Sequence, residues 1–155
     1  MKKLKIYFDT SAISNLVQTS MPKEMDDMLK LWELIKNDVY DVVISEVVMN
    51  EIKAILDTQI LNNIISYLEQ INYETVVITD EIHTIAKSII HHGILTQNSY
   101  IDCVHIACAL STNCNCLVSY NFKHLVKIRT INGVRAISNL HGYGYIDILT
   151  ANTLI

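Results

Sequence analysis

Residues Tyr100–Leu110 read as a helix with almost no polar side. Placed about 100° apart, Ile101, Cys103, Val104, Ile106, Ala107, Cys108, Ala109 and Leu110 surround the axis, leaving Asp102 and His105 as the strongly polar residues. A helix apolar on every side has to be covered on every side, so this chain must build layers around it. Asp102 and His105 stand three residues apart and share a face. Asp102, in the first turn, either interacts with the helix dipole in a capping arrangement with Ser99 or serves a site. His105 reads as a hydrogen-bonded core or supporting histidine in preference to a ligand.

The rest of the chain alternates short strands with helices. Leu4–Phe8 is an apolar run that stops at Asp9-Thr10-Ser11, as a buried strand would. Met28, Leu31, Trp32 and Ile35 repeat at helical spacing within Asp26–Lys36. Tyr40–Ile44 is a second strand, with Ser45 placed to cap a helix running to Leu56. A helix follows over Gln59–Gln70, then a β-branched strand over Glu74–Ile78. Thr79 and Asp80 can cap a helix to His91, which Gly93 would end. After the central helix, which extends to Ser111, come a strand over Cys116–Ser119, a brief helix over Asn121–Lys127 and a strand around Val134–Ile137. This pattern predicts an α/β fold in one domain, with a mostly parallel central sheet of four to five strands flanked by helices.

Composition agrees with a folded enzyme-sized unit. In 155 residues, half are hydrophobic and only 18% charged, with four Gly and one Pro, which disfavours disorder and collagen-like repeats. The formal net charge of -4 argues against broad coating of nucleic acid. No long uncharged apolar run suggests a membrane span, and Lys5 and Asp9 interrupt the faintly signal-like opening at Met1-Lys2-Lys3, so a cytoplasmic protein is expected. The spacing of Cys103, Cys108, Cys114 and Cys116 fits neither a zinc pair nor a secreted disulfide framework.

In parallel sheets, functional groups gather beyond the carboxyl ends of the strands. That rule selects Asp9, the segment Ser45–Glu51, and Tyr120-Asn121. On the wheel of the 45–56 helix, Val47, Val48, Ile52, Ile55 and Leu56 form an apolar arc that contains Glu51, with Glu46, Asn50 and Lys53 opposite. An inward Glu51 needs a partner, either a salt-bridging Lys or a cation, unless the helix is phased differently. Asp9, Glu51 and Asp102 are then three carboxylates from distant segments, which would repel one another on converging unless a divalent cation lay between them. Oxygen ligands suit Mg²⁺ or Mn²⁺, and such a site can activate water against a phosphodiester.

These residues resemble the PIN-domain ribonucleases, particularly the VapC-like toxins of prokaryotic toxin-antitoxin pairs, over nearly the whole chain. Tyr7–Ile13 resembles the family's opening motif around Asp9. Ile44-Ser45 through Asn50-Glu51-Ile52 is similar to the second, and Asp102 with His105-Ile106-Ala107 and Ala109 to the third. Leu117–Leu125 resembles the fourth in a subgroup that carries Asn121 where many relatives have Asp, and Gly142-Tyr143 with Ile146–Thr150 resembles that subgroup's ending. The resemblance implies a single PIN-like domain, a Mg²⁺- or Mn²⁺-dependent endoribonuclease, a homodimer, and inhibition by a small antitoxin.

On that reading Asp9, Glu51 and Asp102 are catalytic and bind metal, and Asn121 contributes a weaker or water-mediated contact. Asn121 can equally cap the following turn, and an Asn carbonyl brings no negative charge. Ser11 holds Asp9 or a metal-bound water, or caps the helix after it. Tyr120 packs or stacks on a base. Lys123, Lys127, Arg129 and Arg135 are the cations placed to hold phosphates. Residues 1–122 carry 8 basic and 15 acidic groups and residues 123–155 carry 4 and 1, so the acidic total conceals a modestly basic tail. A degenerate PIN fold that binds RNA or an antitoxin without cleavage is the alternative. An aspartyl-phosphate phosphatase with Asp9 as nucleophile ranks last, because the second position of its Asp-x-Asp signature is Ser11 here.

Overall fold

The computed structural model describes residues 2–155; Met1, the first residue of the signal-like opening, lies outside them. In chain order the elements are β1 (Lys5–Phe8), α1 (Thr10–Asn15), α2 (Pro22–Lys36), β2 (Asp41–Ser45), α3 (Glu46–Lys53), α4 (Thr58–Leu68), β3 (Glu74–Val76), α5 (Asp80–His91), α6 (Tyr100–Ser111), β4 (Cys116–Val118), α7 (Ile128–His141) and β5 (Asp147–Leu149). Short 3-10 turns occupy Gln97–Ser99 and Ala151–Leu154. The strands form one sheet in the order β3-β2-β1-β4-β5, parallel at every pairing.

β1 is central because Ile6, Tyr7 and Phe8 are all apolar enough to be buried on both faces, and each is fully buried. Burying each such side chain contributes about 1.5–3 kcal/mol. α6 is the covered helix that its composition demands: Cys103–Leu110 is an unbroken run of eight buried residues, lying against β1, β2 and β4. α2 meets the core with Met28, Leu31, Trp32 and Ile35, and the Trp32 ring lies 5.7 Å from that of Phe8. The four cysteines are buried and free. Among the described residues no helix is long and apolar enough to cross a membrane.

Three boundaries differ from the sequence expectation. Val134–Ile137 belongs to α7, and the last strand is β5, because Thr130, Val134, Ile137 and Ser138 are buried at the spacing of a helix face and not on alternate residues. Gly142, at φ +75°, ends that helix, with the Tyr143 N–H donating to the Ser138 carbonyl. Asn121–Lys127 is a succession of turns: the N–H groups of Leu125 and Val126 both donate to the Asn121 carbonyl, and Lys127 is extended before α7 begins. α3 stops at Lys53, because Asp57 caps α4 by accepting from the N–H groups of Gln59 and Ile60, so Leu56 is outside any helix and exposed.

The strand order reverses between β1 and β4. Chain connections leave in opposite directions on either side of that point, opening a crevice beyond the strand ends. Phe8 is in register with Val118, so the next residues, Asp9 and Ser119, emerge side by side at its mouth.

Candidate active site

Asp9 follows β1 directly and caps α1, with extended backbone at φ -80°, ψ 177°. Its side chain is nearly buried and held at both oxygens, with one acceptor position of Oδ2 left over: Oδ1 accepts from the Ala12 N–H at 2.9 Å and the Ser11 hydroxyl at 2.7 Å, and Oδ2 accepts from the Ser119 hydroxyl at 2.5 Å. Each serine also accepts from the loop after β4. Ser11 Oγ takes the Tyr120 N–H at 2.9 Å, and Ser119 Oγ takes the Asn121 N–H at 3.0 Å. Two hydroxyls therefore tie the end of β1 to the end of β4 through one carboxylate. Ser11 does not have to choose between holding Asp9 and shaping the loop; it does both.

That loop places Asn121 against α6. Its Oδ1 accepts from the His124 N–H at 3.0 Å, capping the turn, while its Nδ2 donates to Asp102 Oδ1 at 3.2 Å. Asn121 thus faces Asp102 as a donor. Asp102 is half-buried in the first turn of α6, and Ser99 makes no side-chain capping bond there. Burial holds the Asp102 carboxyl above the usual carboxylate range and the Asp9 charge adds to this, while His105, His124 and Asn121 pull it down.

Glu51 sits on a second arm of the site. Its Oε1 accepts from the Thr10 hydroxyl at 2.9 Å and lies 3.5 Å from His105 Nε2. The His105 interaction, assisted by Thr10, holds Glu51 below the usual carboxylate range against the effect of partial burial. Its side chain is 44% exposed, so it lies at the solvent rim and not against the core. Val48 and Ile52 are the buried residues of α3, with Val47 and Ile55 partly buried against the core, so of the predicted apolar arc Leu56 alone falls outside the covered face. His105 is itself buried, with Nδ1 2.7 Å from the Tyr7 hydroxyl, which donates to Ser45 Oγ at 2.8 Å. Its ring is fixed between the core of the sheet and Glu51.

The structure therefore brings Asp9, Ser11, Asn121 and Asp102 into one connected set, with Glu51 beside it through Thr10 and His105. Among the described residues, no group of three or more His, Cys, Asp or Glu side chains is placed to hold one metal ion. Mg²⁺ does not need such a cage: it keeps several waters and takes one or two carboxylates. Asp9 and Asp102, a buried and a half-buried carboxylate whose charges oppose each other, fit that demand. Lys123 is exposed two residues after Asn121; Lys127 Nζ donates to the Lys123 carbonyl and Arg129 to the Gly93 carbonyl, both at 3.3 Å. Arg135 is elsewhere, 3.6 Å from Asp147 and over the Tyr145 ring, at the start of β5 and so at the opposite end of the parallel sheet.

Ser119, Thr10 and His124 also belong to this set; they lie inside the motif stretches Tyr7–Ile13 and Leu117–Leu125, where the sequence assigns them no site role. Ser119 was legible in principle from its register partner Asp9, but only once β1 and β4 are known to be neighbours.

The PIN domain family model matches residues 6–129, which contain every residue of the connected set. The chain belongs to the PIN domain family. A solved structure of VapBC2 from Rickettsia felis, bound to a DNA fragment from the promoter of that pair, is similar in fold: TM-score 0.59, 14% identity, over 94% of this chain and 98% of that one. No curated protein matches in sequence. The match ends near the start of α7, so most of that helix and the edge strand β5 lie beyond the matched segment.

Proposed function

We propose that this PIN-domain chain is a Mg²⁺- or Mn²⁺-dependent endoribonuclease, acting as the toxin of a type II toxin-antitoxin pair. The observation that carries the reading is the hydrogen-bond chain at the switch point of the sheet that joins the buried Asp9 to the half-buried Asp102 through Ser119 and Asn121. Two such carboxylates call for a cation. Asp9 and Asp102 would hold it, with Glu51 and Asn121 reaching it through water. A bound divalent ion supplies activation of water and charge stabilisation on a phosphoryl group.

The chain's own residues do the remainder. Ser11 and Ser119 fix the Asp9 carboxylate in one orientation, and Asn121 does the same for Asp102. Thr10 and His105 keep Glu51 ionised; so weak a base is suited to orienting an attacking water rather than to removing its proton outright. Lys123, Lys127 and Arg129 would hold flanking phosphates. Fold likeness to the VapBC2 structure supports an antitoxin partner. A homodimer, a cytoplasmic setting and one PIN-like unit over the whole chain are part of the same proposal.

A second reading, RNA or antitoxin binding without cleavage, is favoured by one feature: the Asn121 carbonyl is occupied by the His124 N–H and adds no charge. Calorimetric titration with Mn²⁺ separates the two. The nuclease reading expects saturable binding in the wild type that is lost in Asp102→Asn; absence of binding in the wild type leaves the binding-only reading.

A further inference from the structure

Beside the carboxylates, and unused by the hydrolysis just described, lies an open groove of about 420 Å³. Its walls include Ser11, Ser14, Asn15, Gln18, Tyr120 and Phe122. Ser11 is shared with the site, since its hydroxyl bonds Asp9. The groove therefore adjoins the carboxylate site at Ser11.

Three observations specify an occupant. Phe122 is 53% exposed, yet its ring is preset, packed edge-to-face on Tyr120 at 6.3 Å and 76°. Tyr120 is in turn anchored by accepting the Ala151 N–H at 3.3 Å. An exposed ring that need not be ordered on binding is a stacking platform. Second, Asn15 is more than nine-tenths buried in the groove wall and its Nδ2 donates to the Ser11 carbonyl at 3.0 Å, so that wall is preformed. Third, no Lys or Arg lines the groove, and Glu24 does, so it is unsuited to phosphate. It suits the uncharged, flat part of a nucleotide whose phosphates lie toward the carboxylates and toward Lys123, the residue after Phe122.

Resting on the ribonuclease reading, we propose that this groove seats one unpaired nucleobase of the RNA strand, stacked on Phe122, with its edge toward Asn15 and Gln18. Single-stranded RNA is the form in which a base is free to enter such a platform.

The test uses the full chain and a short single-stranded RNA, first without divalent metal. Amide NMR should show shifts at Ser14, Asn15, Gln18 and Phe122, and fluorescence anisotropy should show Phe122→Ala binding about 5- to 150-fold more weakly, with Phe122→Trp restoring affinity. One abasic substitution in the RNA should weaken wild-type binding by a similar factor and Phe122→Ala binding little further. Because Phe122 is half-exposed, the variant's melting temperature should match the wild type, which keeps a binding loss interpretable. Equal affinity of Phe122→Ala and wild type, no shifts in the groove with RNA, or shifts that depend on protein concentration alone, as a second copy of the chain would give, overturns the proposal. Mn²⁺ is then added. RNA bound in a Phe122-dependent way but left intact retains the base subsite and removes the nuclease reading, whereas RNA cleaved without any Phe122 dependence removes the subsite alone.

Discussion

Ser119→Ala removes one hydroxyl that makes two contacts at the heart of the site. In the wild type Ser119 is fully buried, donates to Asp9 Oδ2 at 2.5 Å and accepts from the Asn121 N–H at 3.0 Å. A hydrogen bond to a charged group contributes about 1.5–3 kcal/mol, and an amide left without its acceptor adds about 1 kcal/mol to the loss. Asp9 keeps its bonds from Ser11 and Ala12, which limits the damage. The net loss should be about 2–3 kcal/mol, or a fall in melting temperature of roughly 5–10 °C for a domain of this size. Urea unfolding at neutral pH measures it, with Ser66→Ala, at an exposed position of α4, as a control expected to stay within about 0.5 kcal/mol. A Ser119→Ala loss as small as that of the control would refute the claim that this hydroxyl ties β4 to Asp9.

Gly133, inside α7, presents the opposite case, since Ala there should gain about 1 kcal/mol in helix propensity. A Cβ at that position would lie 2.6 Å from Ile94 Cγ1 and 2.7 Å from Cγ2, and rotation of Ile94 only exchanges one branch for the other. Overpacking of about 1–3 kcal/mol should therefore win, so Gly133→Ala lowers the melting temperature; a rise would show that the α7–Ile94 contact is loose. Burial pushes the thiols of Cys103 and Cys108 up to about 12 and those of Cys114 and Cys116 to about 11, so each is neutral in the fold at pH 8. A thiol reagent at that pH should count no reactive cysteine in the native protein and four after denaturation; a fast native thiol would contradict the packing around α6.

The fold was legible where side-chain patterning is unambiguous. An apolar run as short as Ile6–Phe8, or a helix as completely apolar as α6, leaves few options, and the parallel sheet follows from their alternation. Val134–Ile137 misleads because a stretch of four residues with β-branched Val134 and Ile137 at its ends is too short to fix a period; Thr130 and Ser138, which complete the helical face, are polar and buried, so hydropathy does not mark them. Asp9 and Asp102 could be found from position alone, one at a strand end and one on an apolar helix. Glu51 could be found as a site neighbour but not as a rim residue, since the length of α3 depends on the competing cap at Asp57. Ser119 and Thr10 lie inside the motif stretches, but they act through partners that tertiary pairing brings to them, so the sequence assigns them no role.

Sequencing of new RNA 5′ ends after inducible expression of the chain, beside Asp102→Asn, tests metal-dependent RNA cleavage at Asp9 and Asp102 most directly. The account predicts growth arrest with cuts at discrete positions in the wild type, none with the variant, and the same cuts in purified RNA only when Mg²⁺ or Mn²⁺ is present. Identical RNA ends with both proteins, or cuts in purified RNA that persist in excess chelator, would contradict it.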